Sequence, residues 1–286
     1  MPISAGSSKI IPCALCGGSV FKPVMECEGF SFVCCVRCRL VQRNPQPDKD
    51  EIIRRYSNTY GKNYLSYELA NETSFLKLQQ LALKDAGFLQ LEKNIFTNTD
   101  VLPEVLDIGC ATGALLEDLR SRKWRVTGVE ISPCGEYAIN ERNLDVRTMP
   151  LEKNNFLNNS FDVILASHLI EHLNDPRIFL LEINRILKNN GHVFITTPNI
   201  SGFQACLYGS SWRSAIFDHL YLFSKKTLFK LLKNTGFKIE SCHTWGGLAA
   251  GIAPKWLKKT ADVLAKKFGI GDVMIIRAKK SIYPNV

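Results

Sequence analysis

Two acids, two glycines, four paired cysteines and three histidines are the residues of this chain whose types and spacing suit chemistry. In Asp107-x-Gly109-x₃-Gly113 a carboxylate stands at a turn whose glycines let the backbone come close to a ligand. The spacing departs from the G-x-G-x-x-G of a dinucleotide cradle, with Ala111 where the middle glycine would be, so the loop is a poor nest for a diphosphate. Asp107 instead suits a ligand carrying an ammonium or sulfonium. Glu130 follows 23 positions later, the place of an acid that grips ribose hydroxyls. Cys13-x₂-Cys16-x₁₈-Cys35-x₂-Cys38 has the spacing of a tetrahedral structural zinc site, with thiolates filling every position and none open to water. Cys34 in place of Cys35 would break the second knuckle. His168 and His172, four apart, would share one face of a helix, but H-x₃-H without a third ligand is a weak metal signal.

Elements to position these residues are visible in the apolar pattern. Val105, Leu106 and Ile108 form a short buried strand, and Ala114 to Lys123 carries Leu115, Leu116 and Leu119 at helical spacing. A strand turning sharply into a helix puts the glycine turn at the carboxyl end of a sheet, where open α/β folds bind ligands. Further strands are expected at Arg125 to Glu130, near Leu144 to Thr148, at Phe161 to Ala166 and at Val193 to Thr197. Thr73 to Lys93 and Asn174 to Lys188 read as helices, and Phe237 to Trp245 with Asp272 to Ala278 as a closing antiparallel pair. Between these, Lys255 to Phe268 is an amphipathic helix. One face holds Trp256, Leu257, Ala261, Leu264 and Phe268, the other Lys258, Lys259, Lys266 and Lys267. A basic amphipathic helix suits an anionic membrane, but packing on its own domain is the preferred reading. Residues 200–224 read as irregular, with Phe203, Tyr208, Trp212, Phe217 and His219 either lining a pocket or buried at the domain edge.

The 286 residues suit one large domain with a small module. The expected division is a zinc ribbon at 1–48, a helical lid or linker at 49–100, and a ligand-binding domain at 101–286. The Asn44-Pro-Gln-Pro-Asp exit closes the ribbon, and Tyr56, Tyr60, Tyr64 and Tyr67 follow as either a lid or packing for the ribbon, the lid being preferred. Zinc would hold a module this small together. The remaining cysteines, Cys27, Cys110, Cys134, Cys206 and Cys242, are scattered and read as structural. No secretory leader and no run of about 20 apolar residues is present, which predicts a cytoplasmic protein with reduced thiols rather than disulfides. Net charge is +9, while Lys225 to the end carries +10, a tail suited to phosphates, acidic glycans or an anionic membrane face, or simply to solvent.

The segments VLDIGCATG (105–113), VTGVEIS (126–132), SFDVILASHLIEHLNDP (160–176), EINRILKNNGHVFITTPN (182–199) and HLYLFSKKTLFKLLKNTGF (219–237) together resemble the class I S-adenosylmethionine-dependent methyltransferases. The resemblance implies an α/β fold with a Rossmann-like seven-stranded sheet, here with an N-terminal zinc ribbon. It implies S-adenosylmethionine as cofactor, held by Asp107, Gly109, Cys110, Ala111, Gly113, Glu130 and Ile131, with His168 near the methionine end. Many relatives place an acid after the third strand for the adenine amino group. No acid aligns cleanly here, so Met149 and Leu151 are expected to sandwich the ring, with Glu152 or a backbone group at its edge. His172 is expected to cap or orient its loop.

A hydroxyl acceptor needs its proton removed, which makes His172 and His219 the candidate bases; a carbon or amine acceptor needs none. Ser167-His-Leu-Ile stands where nucleobase N-methyltransferases carry an Asp/Asn-Pro-Pro-aromatic sequence, and Cys134 is misplaced for pyrimidine C5 chemistry. The favoured function is O-methylation of a small molecule, a saccharide or a cell-surface glycan or lipid intermediate. Nucleic acid is disfavoured, although an RNA methyltransferase using ribbon and basic tail is the second reading. A catalytically inactive interaction protein is the third.

Overall fold

The computed structural model describes residues 8–48, 51, 59–247 and 254–281; of 59–62, 255 and 257 it describes the backbone alone. Five short strands come first: β1 (Ser8–Lys9), β2 (Phe21–Cys27), β3 (Phe30–Cys35), β4 (Val41–Arg43) and β5 (Gln46–Pro47). The helices α1 (Thr59–Asp85) and α2 (Phe88–Thr97) follow. The helix expected over Thr73 to Lys93 is thus two. Gly87 takes a left-handed conformation (φ 82°) between them, a turn that favours glycine, and Arg277 Nη1 donates to its carbonyl.

An alternating run then builds the main domain: β6 (Glu104–Ile108), α3 (Ala114–Ser121), β7 (Arg125–Val129), α4 (Pro133–Arg142), β8 (Val146–Arg147), β9 (Phe161–Ser167), α5 (Pro176–Ile186) and β10 (Leu187–Pro198). The 200–224 segment forms a short helix, α6 (Phe203–Tyr208), and a strand, β11 (Tyr221–Leu222). The chain continues as α7 (Lys225–Asn234), β12 (Phe237–Trp245), α8 (Lys255–Phe268) and β13 (Val273–Lys280).

The central sheet has seven strands in the order β12-β13-β10-β9-β6-β7-β8. Strands β6 to β10 run parallel, β13 lies antiparallel to β10, and β12 antiparallel to β13. The expected Rossmann-like sheet is present. Its strands are apolar on both faces because helices cover both: Leu106 and Ile108 join the core under α5 and α7, while Val105 joins that of α1 and α2. This alternation of one strand between two cores fixes the register that brings Asp107 to the sheet's end.

The ribbon is continuous with the main domain. Strand β11 pairs antiparallel with β4, so its sheet reads β11-β4-β3-β2, and Cys13, Leu15, Cys35 and Leu40 pack into the main core. Trp212, fully buried, packs with Met25 and Phe32 of the ribbon, and its indole N–H donates to the buried Asp272 carboxylate. The Phe217 ring meets Phe30 edge-on at 5.5 Å. Of the aromatics left open as pocket or edge, these two clasp the ribbon.

Candidate active site

Gly109 N–H donates to the Val129 carbonyl at 2.7 Å, which bends the chain off β6 and over the end of β7. Gly109 (φ 76°), Ala111 (φ 47°) and Gly113 (φ 79°) all take left-handed conformations, so the turn is coiled tightly. A Cβ on Gly113 would stand 2.5 Å from Leu144 and 3.1 Å from Ala138. Gly113 therefore serves the packing of α3 against α4, whereas a Cβ on Gly109 would meet only Leu169, at 3.7 Å. The Cys110 side chain packs into a small core with Leu116 and Val146, leaving its backbone at the turn.

Glu130 holds this turn from beside it. One carboxylate oxygen accepts Ala111 N–H at 3.1 Å and the other Ser132 N–H at 2.8 Å. Glu130 and Asp107 are both buried and close enough to repel: burial, then Glu130, pushes the Asp107 carboxyl up to about 7. Asp107 lines a small cleft between α1 and the ends of β9 and β10, with Gln79, Leu83, Ser167 and Thr196. Two partly desolvated carboxylates at neighbouring strand ends suit a cationic nucleoside, whose charge would offset the cost of ionising them.

Helix α1 covers the turn. Thr112 Oγ1 donates to Glu72 at 2.7 Å, and Arg142 Nη2 donates to the same oxygen at 2.6 Å. On the same helix, burial and then Glu68 and Glu130 push the Tyr64 phenol up. Tyr67 rests on Phe75 of its own helix. Tyr56 and the Tyr60 side chain lie outside the described residues. Ile131 is half-buried beside Glu130 and Met149 is exposed, while Leu151 is buried in the main core.

Beyond β9 the chain does not form the helix that would align His168 with His172. His168 turns through φ 51° and only a single 3₁₀ turn, Ile170–His172, follows. This correction changes which groups meet. His168, half exposed, keeps its Nδ1 3.4 Å from Glu171 Oε1. Glu171 is fully buried and its other oxygen accepts the Thr197 hydroxyl at 2.9 Å. His219 arrives from the 200–224 segment to lie edge-on against His172, ring centres 4.6 Å apart. Leu220 N–H donates to the Glu171 carbonyl at 2.8 Å, and Arg43 N–H from the ribbon to the Leu220 carbonyl at 2.8 Å, so the ribbon helps hold His219 in place. Burial would raise the Glu171 carboxyl, but the His168 contact and the neighbouring imidazoles hold it at about 2. Burial and then His172 push His219 down to about 4. Glu171 went unnoticed in the sequence because the histidine spacing drew the reading; its adjacency to His172 was the available signal.

The four ribbon cysteines meet as their spacing requires. Their sulfurs lie within 4.8 Å of one another, with Cys13–Cys38 at 3.3 Å and Cys16–Cys35 at 3.5 Å. Sulfurs bound to zinc at about 2.3 Å stand roughly 3.8 Å apart, so the cluster fits the ion. Burial alone would raise Cys35, but backbone N–H groups of Cys38 and Arg37 outweigh it and bring the thiol to about 7. The Cys34 thiol turns away, toward its neighbour's carbonyl and the Met25 core.

A profile described as a methyltransferase domain matches residues 39–242, well over half of the chain. The chain belongs to this methyltransferase family. The enzyme is 25% identical over 174 residues to the ubiquinone biosynthesis O-methyltransferase of Rickettsia bellii, covering 56% of its own length and 71% of that relative. Among solved structures it resembles an S-adenosylmethionine-dependent methyltransferase of Thermotoga maritima, described as a possible histamine N-methyltransferase. The TM-score is 0.53 at 22% identity, over 81% of this chain and 99% of that one. A second, from Archaeoglobus fulgidus, matches with a TM-score of 0.51 at 19% identity, over 75% and 99%. These structures share the methyltransferase's fold. Among the described residues no helix is long and apolar enough to cross a membrane.

Proposed function

We propose that this methyltransferase transfers a methyl group from S-adenosylmethionine to a hydroxyl of a small acceptor, a saccharide or a glycan or lipid-linked intermediate. One observation carries the reading: Leu169, which packs beside Gly109 of the cofactor turn, belongs to the same short loop as His168, Glu171 and His172. A proton-handling cluster thus adjoins the place where the cofactor's methionine end would lie. The Rickettsia bellii relative, named as an O-methyltransferase, supports a hydroxyl acceptor.

Asp107, Glu130, Ile131 and the 109–113 backbone would hold the cofactor, with Met149 at the open edge of the adenine site. Bound S-adenosylmethionine supplies a methyl group on a sulfonium, already activated for transfer. The chain's own residues have then to align the acceptor and take its proton. His172 and His219 stand nearest that task, beside the buried Glu171 carboxylate. We read 1–48 as the ribbon, 49–100 as the helical cover and 101–286 as the cofactor domain.

The basic helix α8 supports a lipid-linked acceptor over RNA. Among the described side chains of this helix only Ala265 is buried, whereas Trp256 is 70% exposed and Phe268 63% exposed, on either side of two lysine pairs. Packing on its own domain, the preferred expectation, leaves these aromatics uncovered, and such a face suits an anionic membrane surface. Incubation with methyl-labelled cofactor and separate glycan, lipid and RNA extracts tests the reading. Label in the glycan or lipid fraction is expected; label confined to RNA would overturn it.

A further inference from the structure

One face of the central sheet carries a set of polar groups that the fold leaves uncommitted. Asp107 lies level with Leu165 of β9, and so does Phe194 of β10. Two positions further along, Ser167 and Thr196 are register partners. Side chains alternate across a strand, so Asp107, Ser167 and Thr196 stand on the one face, that covered by α1. Helix α1 brings the fourth member. Its Glu72 accepts from Thr112 of the 109–113 turn and from Arg142, and Gln79, seven residues on, shares that side of the helix and overhangs the same small cleft. Asp107 and Thr196 are buried, Ser167 and Gln79 half-buried, yet among the described residues none of the four side chains finds a hydrogen-bond partner. The rest of the lining is apolar, with Leu83, Leu115 and Ile275. A carboxylate bare in such surroundings is costly to ionise, more so with Glu130 behind it. Water would serve the amide and the hydroxyls but bring the acid no counter-charge.

The set matches a zwitterion. A primary ammonium brings Asp107 both N–H donors and positive charge, and a carboxylate accepts from the Gln79 amide and from the Ser167 and Thr196 hydroxyls. The amino-acid end of S-adenosylmethionine carries those two groups on one carbon. We propose that the amino-acid end of the cofactor seats in this cleft, its ammonium on Asp107 and its carboxylate on Gln79, Ser167 and Thr196, and thereby staples α1 to the sheet. The proposal rests on the cofactor reading above and adds which end of the cofactor lies under α1. The helix is short of other anchors. Among its described side chains only Ala82 and Leu83 are buried, both near its C-terminal end. A ligand gripped by Gln79 from one side and by β6, β9 and β10 from the other joins helix to sheet where side-chain packing does not.

Three ligands test this on the full chain: S-adenosylmethionine, S-adenosylhomocysteine, and 5′-methylthioadenosine, which keeps the nucleoside thioether but has no amino-acid end. In calorimetric titrations, Gln79→Ala and Thr196→Val should each weaken the first two by about 10-fold and leave the third unchanged, since each variant removes one hydrogen bond to a charged group. Retained binding of the third shows that the variants fold. In the wild-type protein, amide hydrogen exchange across residues 63–85 should slow on adding S-adenosylhomocysteine and not on adding 5′-methylthioadenosine. Equal weakening of all three ligands, weakening of none, or exchange slowed alike by the two thioethers would overturn the subsite. No heat from any ligand in the wild-type protein would be a different failure, that of the cofactor reading itself.

Discussion

The four-cysteine cluster and the cluster of Glu171, His172 and His219 are built on opposite plans. In the ribbon, four sulfurs come from two C-x₂-C knuckles on local turns, close completely around one point, and sit in a module whose core residues are few. Beside the 109–113 turn, a glutamate and two histidines come from segments some 50 residues apart and gather nitrogen and oxygen atoms within 4.8 Å of one another. The difference teaches where function lies. An all-sulfur cluster suits a stabilising role; imidazoles beside a buried carboxylate near the 109–113 turn suit the handling of a proton. The two are joined mechanically, because β4 of the ribbon pairs with β11 and so holds the segment bearing His219.

The largest effect should come from breaking the closed cluster. Cys13→Ser, or a chelator that would strip an ion held by the four sulfurs, is expected to lower the melting temperature by roughly 10 °C or more. It should also abolish activity, through loosening of β4 and β11. Calorimetry beside elemental analysis checks this; metal loss with an unchanged melting temperature would show that the ribbon does not depend on its ion. Breaking the cluster of Glu171, His172 and His219 should do the reverse. Glu171→Gln is expected to reduce kcat by about 10²- to 10⁴-fold, with little change in melting temperature or cofactor affinity. A variant that unfolds while its residual activity stays normal would reverse the roles assigned to the clusters.

How much of this was legible beforehand follows from the same contrast. The meeting of the four ribbon cysteines and the places of Asp107 and Glu130 at neighbouring strand ends are set by spacings of a few residues and by strand periodicity, so they could be read from the chain. The sheet that carries them could too, since β6, β9, β10 and β13 each show an apolar run. The His172–His219 pair could not, because 46 residues separate them and only the ends of β9 and β10 together with β11 bring them into contact. The helical spacing of His168 and His172 misled for a local reason: the left-handed turn at His168 breaks the periodicity on which face-sharing depends. Nor does any pattern in Tyr221-Leu222 reveal that two residues will add a strand to a distant ribbon.

A smaller effect concerns pH. Asp107 holds its proton up to about 7 in the folded protein against an ordinary 3.8, because it is buried and faces Glu130. A folded-state pKa above the unfolded one gives stability that is fully present below the unfolded value and lost as pH rises through the folded value. The cofactor-free protein should therefore lose stability between about pH 4 and pH 7 from this group. Asp107→Asn should flatten that loss by a few degrees while weakening cofactor binding; thermal melts at acid and alkaline pH check it. The smallest effect on the enzyme itself is expected from Trp256→Ala with Phe268→Ala, which should reduce sedimentation with anionic vesicles several-fold and leave turnover of a water-soluble acceptor unchanged. Equal sedimentation would remove α8 from the membrane reading.

Calorimetric titration of the purified chain with S-adenosylmethionine, beside Glu130→Ala, tests the central claim most directly. The account predicts a one-to-one exothermic event in the wild-type protein, weakened at least about 100-fold in the variant, where the acid proposed to hold the cofactor and the Ala111 N–H partner are lost together. No heat in the wild-type protein, or equal heat in both, would contradict it.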